Sequence, residues 1–227
     1  MTSIIIDKRY CGPPNSGNGG YVCGRLARHM PGGAEVTLRP MSLDDVDALA
    51  AAAGESREHY GWSVVPEGRG GVRAYVEKRL RQRDAGAWLP FVTVWRGRVV
   101  GSTSFIDPVV WDWPAGSAHQ RTDRPDAVEI GGTWLAASAQ RTRCNTEAKL
   151  LMLAHAFERW QVHVVYFKTD ERNDRSRRAI ERLGARPDGI LRADMPGADG
   201  TVRNSAYYSI TAAEWPAVKA RLEAPRP

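Results

Sequence analysis

The sequence has no long apolar run. No stretch approaches the roughly 20 consecutive apolar residues that a membrane-spanning helix needs, so no membrane partner is expected. The opening, MTSIIIDKRY, sets Asp7, Lys8 and Arg9 directly after its isoleucines and lacks the apolar core of a signal peptide. Cysteine is scarce. Only Cys11, Cys23 and Cys144 occur in 227 residues, and no two form a CxxC pair. An odd count without a secretion signal points to reduced thiols and a cytoplasmic protein, not to a disulfide scaffold. Cys11, Cys23 and His29 offer no tight ligand pair, so no metal is expected. Internal repeats and low-complexity tracts are also missing.

What is there fits an ordinary globular protein: 42% hydrophobic and 26% charged residues. The length suits one well-cored domain of roughly 180 residues with an appendage. The formal charge of +6 is spread along the chain and interleaved with acids, as from Arg172 to Glu181. A solvated surface or an anionic cofactor accounts for it better than nucleic acid, which is not an expected partner.

Two unlike parts divide the chain at residue 34. Residues 11–20, CGPPNSGNGG, are turn-forming, and YVCGRLARHM after them carries a short helical pattern that Pro31 ends. From Glu35 onward α and β signals alternate. EVTLRP reads as a strand, with Ser42 and Asp45 spaced for a capping box. The segment from Glu55 to Pro66 reads as a short helix and loop, and Val72 to Arg83 as an amphipathic helix. PFVTVWR and RVVGSTSFID form a hairpin about Gly97, and Ala127 to Leu135 is a strand leading into a helix from Thr146 to about Trp160. VHVVYFKTD is a strand, Ser176 to Leu183 a helix capped by Gly184, and Asp199-Gly200 joins two closing strands before a last helix. This order predicts an α+β, or mixed α/β, sandwich on a largely antiparallel sheet.

Three segments resemble the GNAT superfamily of N-acetyltransferases, in its RimJ/RimL-like branch, over about Val36 to Leu222. AVEIGGTWLAASAQRTRCNTEAKLLMLAHAF is similar to the family's fourth strand, pyrophosphate loop and following helix. TDERNDRSRRAIERLGA is similar to its strand-end Asn and next helix, and GILRADM through EWPAVKARL to its closing hairpin and tail. The resemblance implies the GNAT fold, with helices flanking a central twisted, mostly antiparallel sheet. It also implies acetyl-CoA as cofactor and, as acceptor, a small-molecule amine or a peptide N-terminus.

The first segment has its own physics: a strand that turns tightly into a helix aims backbone N–H groups and the helix dipole at one spot, which suits a pyrophosphate. The family pattern Q/R-x-x-G-x-G/A, set on Gln140, puts Arg143 and Asn145 where small residues usually stand. Arg141, Thr142, Arg143, Cys144, Asn145 and Thr146 are thus the expected cofactor contacts beside Gln140. The plain alternative is a capped helix start with solvated arginines. The resemblance adds Asn173 against the pantetheine arm or substrate and Ser176 as proton donor to the departing sulfur; both also fit a simple helix start. Backbone N–H groups near Trp134 and Leu135 could meet the charge that builds on the acyl oxygen.

Glu129 is the candidate base, with a salt-bridged surface Glu as the alternative reading. Strand alternation would put Glu129, Gly131 and Thr133 on one face. The acceptor pocket is expected to draw on His59, Tyr60, Trp62, Phe105, Trp134, Arg192 and Tyr207, all of which could equally be core or loop residues. The second expected part, residues 1–34, resembles the opening of some hotdog-fold, thioesterase-like proteins, although such a fragment cannot bury a core of its own. It could pack on the domain spanning 35–227 or pair with another chain, as in a homodimer. A GNAT-like protein that binds acyl-CoA without catalysis is the alternative function.

Overall fold

The computed structural model describes residues 26–29 and 35–224. One sheet of eight strands organises them: β1 (Leu26–His29), β2 (Glu35–Pro40), β3 (Trp88–Trp95), β4 (Arg98–Val109), β5 (Ala127–Leu135), β6 (Val164–Asp170), β7 (Arg186–Pro196) and β8 (Val202–Thr211). Their spatial order is β1-β2-β3-β4-β5-β6-β8-β7. Every pairing is antiparallel except β5 with β6. The expected mixed α/β sandwich is what the chain forms.

Local rules account for many of the joints. The Ser42 N–H donates to Asp45 Oδ2 at 2.8 Å, closing the expected capping box, and Arg39 forks onto the same buried carboxylate. Arg96 and Gly97, both at positive φ, make the tight turn between β3 and β4. Gly200, at φ +79°, turns β7 into β8. Gly184 ends its helix at φ +100°, where a Cβ would meet Arg221 and Val218.

Five helices cover the sheet: α1 (Val46–Gly54), α2 (Gly68–Asp84), α3 (Cys144–Ala154), α4 (Asp174–Leu183) and α5 (Trp215–Glu223). Neighbouring residues of β4 sort them onto two faces. Ser102 bonds Tyr75 of α2 at 2.8 Å, whereas Thr103 bonds Lys149 of α3. Since successive strand residues point oppositely, α2 and α3 lie on opposite sides. Helix α5 joins the α3 side through Phe157 stacked on Trp215 at 5.3 Å, and Arg221 of α5 donates to the Arg182 carbonyl of α4.

Four expectations are corrected. The YVCGRLARHM segment contributes strand β1 over Leu26–His29, paired with β2, in place of a helix; an available strand edge overrides a weak helical pattern. Helix α2 begins at Gly68, a turn earlier than its apolar stripe of Val72, Tyr75 and Val76, and Arg69 in that extra turn pairs with Asp47 of the preceding helix at 2.6 Å. No helix forms between Glu55 and Pro66. The helix expected to reach Trp160 is α-helical only to Ala154 and widens to a π-turn over His155–Trp160, which Gln161 ends in the left-handed region.

Candidate active site

The site begins with a fork. Strands β5 and β6 run parallel and pair only at Ala127↔Val164, Val128↔Val165 and Glu129↔Tyr166, after which they part. Just beyond the parting, β5 bulges. Ser102↔Trp134 and Ser104↔Gly131 leave Thr103 of β4 opposite two residues, Gly132 and Thr133, with Gly132 at φ +59°. A Cβ at Gly132 would strike the Trp88 ring. The extra residue breaks the alternation: Thr133 points to the α3 side, not with Glu129 and Gly131 as simple period-two spacing predicts. Trp134 instead shares the α2 side with Ser102.

Past the bulge the chain makes a short 3-10 turn at Ala137–Ala139 and enters α3 through Gln140 to Arg143, with Arg141 at φ +60°. The Gln140 N–H is spent on the Ala136 and Ala137 carbonyls, and the Cys144 N–H on Thr142 Oγ1 at 3.1 Å. The N–H groups of Arg141, Thr142, Arg143, Asn145 and Thr146 have no hydrogen-bond acceptor among the described residues. They cluster at the positive end of α3. Arg141 is exposed, and Arg143 reaches Glu147 at 3.4 Å. Burial raises the Glu147 carboxyl and Arg143 opposes that rise.

Side chains tie this loop to its surroundings. The Leu135 carbonyl accepts from Tyr60 Oη at 2.9 Å and from Gln140 Nε2 at 2.8 Å. Arg175 at the start of α4 donates to Gln140 Oε1 at 2.6 Å. The Ser138 N–H is held by Glu55 Oε2 at 2.9 Å. Gln140 thus spans the two prongs of the fork, and Tyr60 and Glu55 brace the loop from the α1–α2 side.

Across the fork, Asn173 caps α4: its Oδ1 accepts the Ser176 N–H at 3.0 Å. The Ser176 hydroxyl is partly exposed and bonded to no described residue. On the α2 face of the sheet lies a polar floor. Glu129, its side chain 13% exposed, meets Lys168 Nζ at 3.3 Å. Lys168 faces Tyr207 across the β6–β8 pair, 5.7 Å from its ring. Tyr207 Oη and Ser205 Oγ both donate to Asp194. Burial raises the Glu129 carboxyl above its ordinary value, with Lys168 pulling the other way. Arg172 forms the rim: it forks onto Asp170, bonds Asp199 of the β7–β8 hairpin at 2.9 Å, and stacks 4.2 Å from the Trp62 ring.

The structure therefore brings together Glu129, Tyr207, Trp62, Tyr60, Asn173 and Ser176 around the fork and the loop from Gln140 to Thr146. Three expected residues stand apart from it. Phe105 is 1% exposed and packs on Phe91 and Trp160 on the α3 side, being one residue out of phase with Ser104. Arg192 lies on the edge strand β7 and His59 on the loop after α1, and both are exposed. Cys144 is buried and its N–H donates to Thr142 Oγ1; burial pushes its thiol up to about 12. Trp134 is buried, and its indole N–H has no partner among the described residues. Lys168, Arg172, Arg175 and Asp194 escaped sequence reading, although Lys168 stands two residues from Tyr166 in a period-two strand and could have been placed on the Glu129 face.

Among the described residues no helix is long and apolar enough to cross a membrane, and no group of His, Cys, Asp or Glu could hold a metal ion. A family model, the acetyltransferase (GNAT) domain, matches residues 35–186. A structure from T. thermophilus, provisionally assigned as an acetyltransferase, is 30% identical, covers 88% of this chain and 95% of its own, and gives a TM-score of 0.68. A GCN5-related N-acetyltransferase from Brucella melitensis is 25% identical over 84% of this chain and 83% of its own, with a TM-score of 0.69. Mycobacterium smegmatis RimJ, solved with CoA-disulfide, is 23% identical over 83% and 88%, with a TM-score of 0.68, a likeness of fold. No curated protein matches the sequence. The hotdog-like resemblance of the opening falls almost wholly outside the described residues, and the family model starts at residue 35, so that resemblance gains no support.

Proposed function

The chain belongs to the GNAT acetyltransferase family and is an N-acetyltransferase that uses acetyl-CoA; on that premise we propose that it serves a primary amine, a protein N-terminus or a small amine, by direct attack in a ternary complex. The three segments that resemble the RimJ/RimL-like branch favour that branch, and the fold shared with Mycobacterium smegmatis RimJ is compatible with it. The observation that carries the proposal is that the N–H groups of Arg141, Thr142, Arg143, Asn145 and Thr146, at the lip of the fork, find no acceptor among the described residues. Unpaired donors at a helix start, with Arg141 and Arg143 beside them, fit a diphosphate. Main-chain donors do not require glycine at Arg143 and Asn145, because only Arg141 takes a left-handed φ in this loop.

The bound cofactor supplies an activated acetyl thioester. Residues of this chain supply the rest. The fork between β5 and β6 is where the pantetheine arm fits, lined on one side by Asn173 and Ser176. Backbone N–H groups near Trp134 and Leu135, redirected by the bulge, donate to the oxygen that gains charge. Glu129 takes the proton of the incoming amine, directly or through one water. A carboxyl raised by burial is a stronger base once ionised than an ordinary one. The Ser176 hydroxyl donates to the departing sulfur. The acceptor enters over the floor of Lys168 and Tyr207, under the Arg172–Trp62 rim, and the domain doing this work is taken as residues 35–227.

The test is release of CoA thiol from acetyl-CoA with a panel of N-terminal peptides, amino acids and polyamines. Release that depends on one class of amine is expected. Release that proceeds equally without any amine contradicts the proposal.

A further inference from the structure

Helix α3 buries a lysine that no acid accompanies. Lys149 is 4% exposed, and its Nζ donates to Thr103 Oγ1 at 2.8 Å and to Thr133 Oγ1 at 2.6 Å. The two hydroxyls lie 2.8 Å apart. Thr133 Oγ1 also approaches the Gly131 carbonyl at 3.4 Å, and Thr103 Oγ1 approaches Met152 Sδ at 3.6 Å. No ion pair joins Nζ to a carboxylate among the described residues. Burial alone lowers this amine, to about 7.

Such a group is costly to the fold, since taking a cation out of water without a counter-ion opposes folding. A methionine would fill the same volume with no charge to desolvate. What the lysine holds is specific. Thr103 is the single β4 residue opposite the β5 bulge, and Thr133 is the second of the two residues facing it. Lys149 therefore clasps both sides of the one irregularity that aims the end of β5 into the fork. Removing it frees the register of Thr133, and with it the direction of the Trp134 and Leu135 backbone.

We propose that Lys149 is a positioning residue for acyl transfer: through Thr103 and Thr133 it fixes the bulge so that the main-chain donors after Gly132 polarise the thioester carbonyl. This rests on the site reading given above. In its ammonium form Lys149 also favours negative charge on the oxygen in front of those donors, because the medium between is poorly screening. Lys149 touches neither cofactor nor acceptor; it acts through the strand.

The experiment uses the full chain and acetyl-CoA carrying 13C at the thioester carbonyl, with no acceptor required. The bound carbonyl band is read by difference infrared spectroscopy in the parent and in Lys149→Met, beside the Kd for CoA and the melting temperature. The parent is expected to shift the band to lower frequency. Lys149→Met is expected to lose most of that shift while keeping the CoA Kd within about twofold and melting no lower than the parent. Thr133→Val, which removes one hydroxyl of the clasp, gives the same loss if Lys149→Met fails to fold. With a working amine, kcat falls at least tenfold and KM for acetyl-CoA stays level. An unchanged carbonyl shift in a folded variant that binds CoA normally overturns this inference alone. Failure of the parent to bind CoA overturns the site reading beneath it, and the inference with it.

Discussion

The loop from Gln140 to Thr146 and the floor around Glu129 do opposite things with their polar groups. The loop leaves backbone donors open and spends its side chains on neighbours: Gln140 on Leu135 and Arg175, Thr142 on Ala139 and Cys144. On the floor nearly every polar side chain has a partner, in a chain from Glu129 through Lys168 and Tyr207 to Asp194 and Ser205. A site made of main chain tolerates substitution, because any residue brings an N–H. A site made of side chains drawn from β5, β6, β7 and β8 does not. On the proposed reading, the contrast explains how this loop could hold a pyrophosphate with Arg143 and Asn145 where small residues are customary.

Substitution should therefore weigh most on the floor. Glu129→Gln is expected to lower kcat by about 10²–10³-fold while leaving the CoA Kd unchanged. In the parent, activity should fall as pH drops through the raised Glu129 value, since a carboxylate acting as base must be ionised to accept a proton. The ascending limb of kcat/KM should lie above the usual carboxylate range and vanish in Glu129→Gln. Lys168→Met sharpens the point, because losing the ammonium removes the influence that lowers Glu129 and should move that limb to still higher pH. A limb that stays in place in both variants would remove Glu129 from the mechanism.

On the loop, charge matters and identity does not. Reversing Arg141 and Arg143 together to Glu should weaken CoA binding about 10- to 100-fold, whereas alanine at either position should cost less than about fivefold. Equal losses for alanine and for reversal would mean that the side chains, not the main chain, make the site. The smallest effect belongs to Ser176→Ala, at about two- to fivefold in kcat, since a thiolate leaves readily without an acid. A loss of a hundredfold would show that the proton donor is indispensable.

The same contrast governs what could be read from the sequence. Elements fixed by neighbouring residues were legible: the Ser42–Asp45 box, the left-handed stop at Gly184, the turns at Gly97 and Gly200, and the order of strands from Glu35 onward. The loop into α3 belongs with them, being one continuous segment. The floor does not. Lys168, Asp194 and Arg172 acquire meaning only when β6, β7 and the hairpin assemble beside β5; period-two spacing gives Lys168 a face of β6, but nothing local marks Asp194 or Arg172. A single extra residue also defeats period-two reasoning, as the bulge at Gly132 and Thr133 sends Thr133 to the α3 side. Phase alone likewise put Phe105 in the core and Ser104 beside the site, and pairing with β2 made Leu26–His29 a strand against its helical pattern.

The central claim is that main-chain amides between Gln140 and Thr146 hold the CoA diphosphate, and amide-resolved NMR during a CoA titration tests it most directly. The N–H signals of Arg141, Thr142, Arg143, Asn145 and Thr146 should move together and gain protection from exchange. The N–H of Cys144, already bonded to Thr142, should move least and serve as the internal control. Saturable CoA binding that leaves those five amides unmoved, with the changes centred elsewhere, would contradict the account.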